Sequence, residues 1–236
     1  MSGVALVTGA DRGLGLALCA GLAERGWRVW AGQFMPDWPQ LAALVERCNG
    51  AVETVPLDVG SGESVAAAAR EVGSRGDRLD LVINNAGINA GQSGLREGLD
   101  WEAMHRAYNV NAVGPIRVVS AFLPLLAQGG RRLAFVSSEA GSIAMCSRTG
   151  SFGYCMSKTA LNMAVRIMFN DLRREGYTFR LYHPGWVRSY MSGQKNLSAD
   201  LEPEDAAARA LSFFLGDRDD EDRLVVIDDE GREWPF

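Results

Sequence analysis

The stretch Val4-Ala5-Leu6-Val7-Thr8-Gly9-Ala10-Asp11-Arg12-Gly13-Leu14-Gly15 opens the chain with an apolar run, a glycine-rich turn and a helical pattern that continues through Arg25. A short valine-containing run followed by such a turn predicts a strand leading into a helix. Glycines permit a tight turn and the close approach of a ligand's phosphates, while the free N–H groups and dipole at a helix start favour negative charge. A pyrophosphate fits this arrangement. The spacing is glycine, three residues, glycine, one residue, glycine, which departs from GxGxxG by moving the inner glycine. A flexible surface turn is an equal reading of these letters alone.

Working outward, residues 28–32 form the next expected strand, and at its end an acidic residue would bond the ribose hydroxyl of NAD. Gln33 and Phe34 stand there instead. Without a carboxylate nothing repels a 2′-phosphate, and Arg12 in the glycine turn could pair with one, which favours NADP over NAD. The plain alternative for Arg12 is a solvated loop arginine. The alternation then continues: helix over 39–48, strand over 51–56, helix over 63–72, strand over 79–83, a helical segment over 101–126, strand over 133–136, helix from 154 to about 174, strand over 178–182, helix over 203–215 and strand over 224–227. Strands alternating with helices predict parallel βαβ units. The expected fold is a single doubly wound α/β Rossmann domain over residues 1–236, with a mainly parallel sheet of about seven strands and helices on both faces.

Ligands of such sheets bind outside the carboxyl ends of the strands, so the residues at those ends are the functional candidates. Asp58 follows the third strand and could accept the adenine amino group or cap the next helix. Asn84-Asn85-Ala86-Gly87 ends the fourth strand with compact residues that leave room for a ring. Asn111 sits inside a helical pattern before Gly114-Pro115, where an unpaired amide is costly; it relays protons through water or satisfies backbone groups beside a kink. Ser137 and Ser138 end the fifth strand and alternate to opposite faces. Residues 186–200 form a polar, glycine-containing loop with Trp186, Tyr190 and Met191 as apolar members, suited to closing over a substrate.

With 236 residues and 47% hydrophobic side chains the chain can bury one large core, and a net charge of −5 offers no basic field for nucleic acid or an anionic membrane. Cys19, Cys48, Cys146 and Cys155 show no CxxC pairing and have only His105 and His183 to join them. Neither a metal site nor a disulfide framework is expected, and a reducing cytoplasm is. An apolar strand entered at Val4, without a basic segment before it, leads us to expect no leader, and no run of consecutive apolar residues approaches eighteen.

Tyr154-Cys155-Met156-Ser157-Lys158 heads an apolar helical run. Four residues is about one helical turn, so Tyr154 and Lys158 share a face. A phenol has an ordinary pKa of about 10, and a nearby cation favours its phenolate, making Tyr154 a candidate proton donor and acceptor. Any helix can also carry such a pair merely as surface cover.

Side by side and in this order, these pieces resemble the short-chain dehydrogenase/reductase family over essentially the whole chain. The family's TGxxxGxG stands as Thr8 to Gly15, NNAG as Asn84 to Gly87 and YxxxK as Tyr154 to Lys158, with Asn111 and Ser138 at its remaining catalytic positions. Asp58-Val59 matches its DV pair and Pro184-Gly185-Trp186-Val187 its PG-x-V, with Ser189 where threonine is usual. Gly141 to Ile143 and a tryptophan near the carboxyl end look most like the carbonyl reductase and C-factor branches.

The resemblance implies an NADP-dependent oxidoreductase moving hydride between nicotinamide and an apolar aldehyde or ketone, or the corresponding alcohol. Tyr154 would be the general acid/base, Ser138 would hold the carbonyl oxygen, Lys158 would lower the phenol pKa and bond the nicotinamide ribose, and Asn111 would hold a water. Cofactor contacts are then expected from Gly9, Arg12, Gly13, Leu14, Gly15, Asp58, Val59, Asn85, Ala86, Gly87, Tyr154, Lys158, Pro184, Gly185, Val187 and Ser189. Residues 145–149 and Phe152 would wall the pocket, and the long helices would pair subunits into a homodimer or homotetramer. The rivals are an NAD-dependent alcohol dehydrogenase and a non-catalytic NADP-sensing module.

Overall fold

The computed structural model describes residues 2–191 and 194–236. Eight strands form one sheet: β1 (Val4–Val7), β2 (Arg28–Gln33), β3 (Val52–Pro56), β4 (Leu81–Asn84), β5 (Arg132–Val136), β6 (Thr178–His183), β7 (Val226–Asp228) and β8 (Glu233–Trp234). Their order is β3-β2-β1-β4-β5-β6-β7-β8, parallel throughout except for β8, which returns antiparallel beside β7. The eighth strand exceeds the expected seven. Only two residues long, it carries no apolar run for the sequence to show, and it is held through the buried Asp228 carboxylate, which accepts from Trp234 Nε1 at 2.9 Å and from the Arg232 N–H at 2.8 Å.

Strand alternation divides the core. Ala5, Val7, Val29, Ala31, Ile83 and Ala134 face α1 (Gly13–Glu24), α2 (Pro39–Arg47) and α7 (Pro203–Leu215), while Leu6, Trp30, Val82, Leu133 and Phe135 face the other layer. That layer is α3 (Gly62–Ser74), α4 (Trp101–Tyr108) running on into α5 (Gly114–Leu126), and α6 (Phe152–Leu172). Between α4 and α5 the chain is a π-helical turn, Asn109–Val113, so the run is one continuous helix with a widened turn. Taken whole, Trp101–Leu126 is by length and composition apolar enough to cross a membrane, with a mean hydropathy of 1.3 over an 18-residue window, which a count of consecutive apolar residues does not show. Here its α4 part packs on α6 and its α5 part on α3.

Neighbouring β1 and β4 lead to helices on opposite faces, so a crevice opens between their carboxyl ends. Polar bonds tie the two ends together. Thr8 Oγ1 accepts the N–H groups of Asn85 and Ala86, both at 3.0 Å, and Asn85 Nδ2 donates to the carbonyls of Thr8 at 2.9 Å and Gly9 at 3.2 Å. α1 can start this close to the turn because Gly15 has no side chain: a Cβ there would lie 2.1 Å from the Gly9 oxygen, whereas one at Gly62 would meet nothing within 4 Å.

Gly15→Ala is therefore expected to lower stability by about 2 kcal/mol or more through overpacking. Gly62→Ala, in open space at the start of α3, is expected to be neutral or stabilising by up to about 1 kcal/mol. Urea unfolding of both variants checks the contrast; equal losses would show that the glycine turn is not so tightly packed.

Candidate active site

The crevice continues into a cavity of about 530 Å³. Its lining includes Gly9, Arg12 and Gly13 from the turn, Asp58 and Val59 beyond β3, Asn85, Ala86 and Gly87 beyond β4, and Ser189. These are nine of the positions expected to meet a cofactor. Leu14 and Gly15 lie behind the lining, Leu14 with its side chain in the core and Gly15 against the Gly9 carbonyl. Pro184, Gly185 and Val187 lie in the chain beyond β6 that leads to Ser189; Gly185 has φ +74° and backs on Asp229, and Val187 is buried. The first helical residue of α1 is Gly13, and its N-cap Arg12 makes no side-chain cap bond, so the helix start faces the cavity without a capping oxygen.

Asp58 does not cap α3. Its Oδ1 accepts the Gly60 N–H at 2.8 Å, and Ser61 is the cap, accepting the Ser64 N–H. Arg12 is not a solvated loop arginine either. Its guanidinium lies 4.5 Å from the Trp38 ring centroid and 5.1 Å from that of Tyr190, it donates to the Tyr190 carbonyl at 3.4 Å, and it has no carboxylate partner among the described residues. One carboxylate does stand at the end of β2, although Gln33-Phe34 carries none. Buried Asp11 reaches across from the glycine turn and accepts the N–H groups of Phe34 at 3.0 Å and Met35 at 2.8 Å. No sequence spacing indicates that contact, because it joins two loops more than twenty residues apart.

Around α6 the polar groups converge. Lys158 is buried and donates from Nζ to the Val136 carbonyl, the last of β5, at 2.9 Å. Asn111, in the π-helical turn, donates from Nδ2 to the Ile88 carbonyl at 2.8 Å and to Ser157 Oγ at 2.9 Å, and accepts the Ile88 N–H at 2.8 Å. It thus satisfies backbone groups beside a distorted helix, the second of its two readings. Both side chains close on Gly87, where an added Cβ would lie 3.3 Å from Asn111 Oδ1 and 3.7 Å from Lys158 Nζ. Ser137 and Ser138 point apart as the strand alternation predicts: Ser137 Oγ donates to Asn162 Oδ1 at 2.6 Å, and Ser138 Oγ donates to the Glu139 carboxylate and accepts the Ala140 N–H at 3.1 Å.

Tyr154 and Lys158 do share a helix face, with Nζ 5.8 Å from the ring centroid. The phenol is nevertheless not acidified by the lysine. Burial pushes the Tyr154 phenol up to about 12 and brings the Lys158 ammonium down to about 8. Nζ is turned to the Val136 carbonyl, so desolvation outweighs a cation held at that distance. A phenol in this state keeps its proton at neutral pH and is ready to donate it.

Two charged neighbours escape the sequence reading. Glu139 accepts the Ser138 hydroxyl proton and is ion-paired with Arg148. Of residues 145–149, Arg148 reaches Glu139 beside Ser138; Met191 lines the cavity, and Ile143, Met145 and Trp186 are exposed apolar side chains. The loop over residues 186–200 is pinned at its base by the Val187–Leu201 bridge and by the Arg188–Glu202 ion pair at 2.6 Å, and it lays Tyr190 on Arg12; its residues 192–193 lie outside the described residues. Cys155, its thiol pushed up by burial, and exposed Cys146 are free thiols.

Residues 3–200 match the family model described as short chain dehydrogenase. The C-signal of Myxococcus xanthus is 49% identical over 159 residues, covering 67% of this chain and 93% of that protein. An NADPH-bound carbonyl reductase from chicken fatty liver superposes with a TM-score of 0.87 at 28% identity, over 99% of this chain and 98% of that one. A short-chain dehydrogenase/reductase from Burkholderia multivorans with bound NADP gives 0.86 at 26% identity, over 99% of both chains. A doubly wound sheet, a glycine turn facing its crevice and the convergence of Ser138, Tyr154 and Lys158 at the rim agree with these matches: the chain belongs to the short-chain dehydrogenase/reductase family and is an oxidoreductase of CH–OH and C=O groups.

Proposed function

We propose that the protein reduces apolar aldehydes and ketones with NADPH, and oxidises the corresponding alcohols in reverse, with Tyr154 as the general acid/base. The observation that carries this reading is the placing of Tyr154 and Lys158 on one face of α6, with Nζ 5.8 Å from the phenol ring, at the point where Lys158 and Asn111 close on Gly87. A nicotinamide cofactor, when bound, supplies or takes the hydride. The cavity fits such a group: it is a bare glycine turn under an uncapped helix start, long enough to reach from Phe34 to Gly87.

The remaining work belongs to the side chains. Ser138, its hydroxyl turned from Glu139 onto the substrate oxygen, holds that oxygen where negative charge develops, and Tyr154, which keeps its proton up to about 12, delivers it there. Lys158, fixed by Val136, offers its other protons toward Gly87 and a ribose. Asn111, its amide committed to Ile88 and Ser157, holds the widened helical turn against the site. Ile143, Met145, Trp186 and Met191 receive an apolar substrate.

Preference for NADP rests on Arg12, set against the touching rings of Trp38 and Tyr190 and free of carboxylate partners among the described residues, and on the two neighbours whose structures hold NADPH or NADP. The Asp11 carboxylate opposes it, but its oxygens are occupied by the Phe34 and Met35 amides. Association into a homodimer or homotetramer is supported by exposed Met156, Met163 and Ile167 along α6 and Ile116 on α5. Four free cysteines suit the reducing cytoplasm. A second reading, a nucleotide-sensing module without turnover, draws on the relative named C-signal. NADPH binding with no turnover across a broad panel of aldehydes and ketones would favour it.

Tyr154→Phe is expected to lower kcat for aldehyde reduction by at least about 100-fold with the cofactor still bound. An undiminished rate would remove Tyr154 from the chemistry. In the wild type, reduction should vary little across neutral pH while alcohol oxidation, which needs the phenolate, rises with pH. Arg12→Gln should raise KM for NADPH by about tenfold and leave that for NADH nearly unchanged; an equal change for both would defeat the assignment of Arg12 to the 2′-phosphate.

A further inference from the structure

Of the two arginines in the cavity lining, Arg12 is the one the fold holds in place. The other, Arg106 of α4, has a side chain 61% exposed and stands 3.7 Å from the Glu102 carboxylate. Around Arg12 the chain closes a frame. Asp11, one residue earlier, accepts the N–H groups of Phe34 and Met35; the Met35 carbonyl accepts the Trp38 N–H at 3.0 Å; and the Trp38 ring lies 4.5 Å from the Arg12 guanidinium. Trp38 is fixed in turn by Nε1, which donates to Gln40 Oε1 at 3.2 Å. From the chain beyond β6, Ser189 comes up to the glycine turn, where a Cβ on Gly13 would stand 3.9 Å from it. Tyr190 follows, its ring 5.1 Å from the same guanidinium and 5.5 Å from the Trp38 ring, edge to face at 72°. The Tyr190 carbonyl accepts from Arg12 Nη2 at 3.4 Å, the one bond the guanidinium gives among the described residues.

We propose that Trp38 and Tyr190 determine cofactor specificity: they position Arg12 for the 2′-phosphate of NADP and so carry part of the preference for it over NAD. The inference rests on the reading of Arg12 as the partner of that phosphate. An arginine free in solvent loses the freedom of a long side chain when it clasps an anion, whereas one already laid against two rings and a carbonyl has less to lose. The rings also keep water from the guanidinium, so its charge acts through less polar surroundings. Of its five N–H groups one is spent on Tyr190, and the rest are left for the phosphate oxygens. A cofactor without the 2′-phosphate gains nothing from the arrangement. Tyr190 contributes its ring and its carbonyl; its hydroxyl makes no hydrogen bond among the described residues.

Isothermal titration calorimetry of the purified protein with NADPH and with NADH reads the effect, and melting followed by circular dichroism shows that each variant folds. Trp38→Ala and Tyr190→Ala should each weaken NADPH binding about fivefold and NADH binding less than about twofold. In an Arg12→Gln background the same two substitutions should change NADPH affinity by less than about twofold, because the group they position is gone. Trp38→Phe and Tyr190→Phe, which keep a ring beside the guanidinium, should bind NADPH within about twofold of wild type. Tyr190→Ala, outside the helices and the sheet, decides alone if Trp38→Ala does not fold. NADPH binding unchanged by the alanine variants, equal weakening of both cofactors, or losses that persist in full beside Arg12→Gln would overturn the proposal, even with Arg12→Gln itself selective against NADPH. An Arg12→Gln protein that loses both cofactors alike would bring down the reading of Arg12 and this proposal with it.

Discussion

The ammonium of Lys158 is buried under the end of β5, and its bond to the Val136 carbonyl is the contact around which the catalytic rim is built. Taking a charge out of water costs several kcal/mol unless polar partners replace the solvent, and here burial alone brings the ammonium down to about 8. The neighbouring residues follow from that need. Gly87 leaves space for the Asn111 amide oxygen, and Asn111 is itself fully bonded to Ile88 and Ser157. A helix of regular pitch places its side chains differently, and the π-helical turn at Asn109–Val113 is the local distortion at which Asn111 reaches both partners.

Much of this was legible in the letters because it depends on short spacings. The βαβ rhythm, the glycine turn, the shared face of Tyr154 and Lys158 and the opposite facing of Ser137 and Ser138 all follow from periods of 3.6 and 2. Other features depend on contacts between segments far apart in sequence. Asp11 meeting the amides of Phe34 and Met35, Arg12 set against the rings of Trp38 and Tyr190, and Arg148 closing on Glu139 across a loop have no period to announce them. Strand β8 was missed for a different reason: two residues give no alternation, and the Asp228 side chain that organises the turn reads simply as one more acid in a polar tail.

The acidity of the phenol shows why spacing alone misleads about chemistry. One helical turn brings the cation near, yet the direction of the lysine N–H and the loss of water around the ring decide the outcome, and both depend on packing. The resulting site favours the protonated phenol, a state matched to reduction. Along the crevice, Arg12 and the α1 start line the cavity, Lys158 and with it Tyr154 stand beside Gly87 of that lining, and the pinned 186–200 loop touches Arg12 through Tyr190.

The central claim is that the Tyr154 hydroxyl exchanges its proton directly with the substrate oxygen. A crystal structure of the ternary complex with NADP and a bound secondary alcohol tests it most directly. The account predicts the alcohol oxygen within hydrogen-bond reach of the Tyr154 phenol, about 2.6–3.2 Å, with Ser138 on the same oxygen. An alcohol oxygen bound to another group, with the phenol beyond about 4 Å, would contradict it.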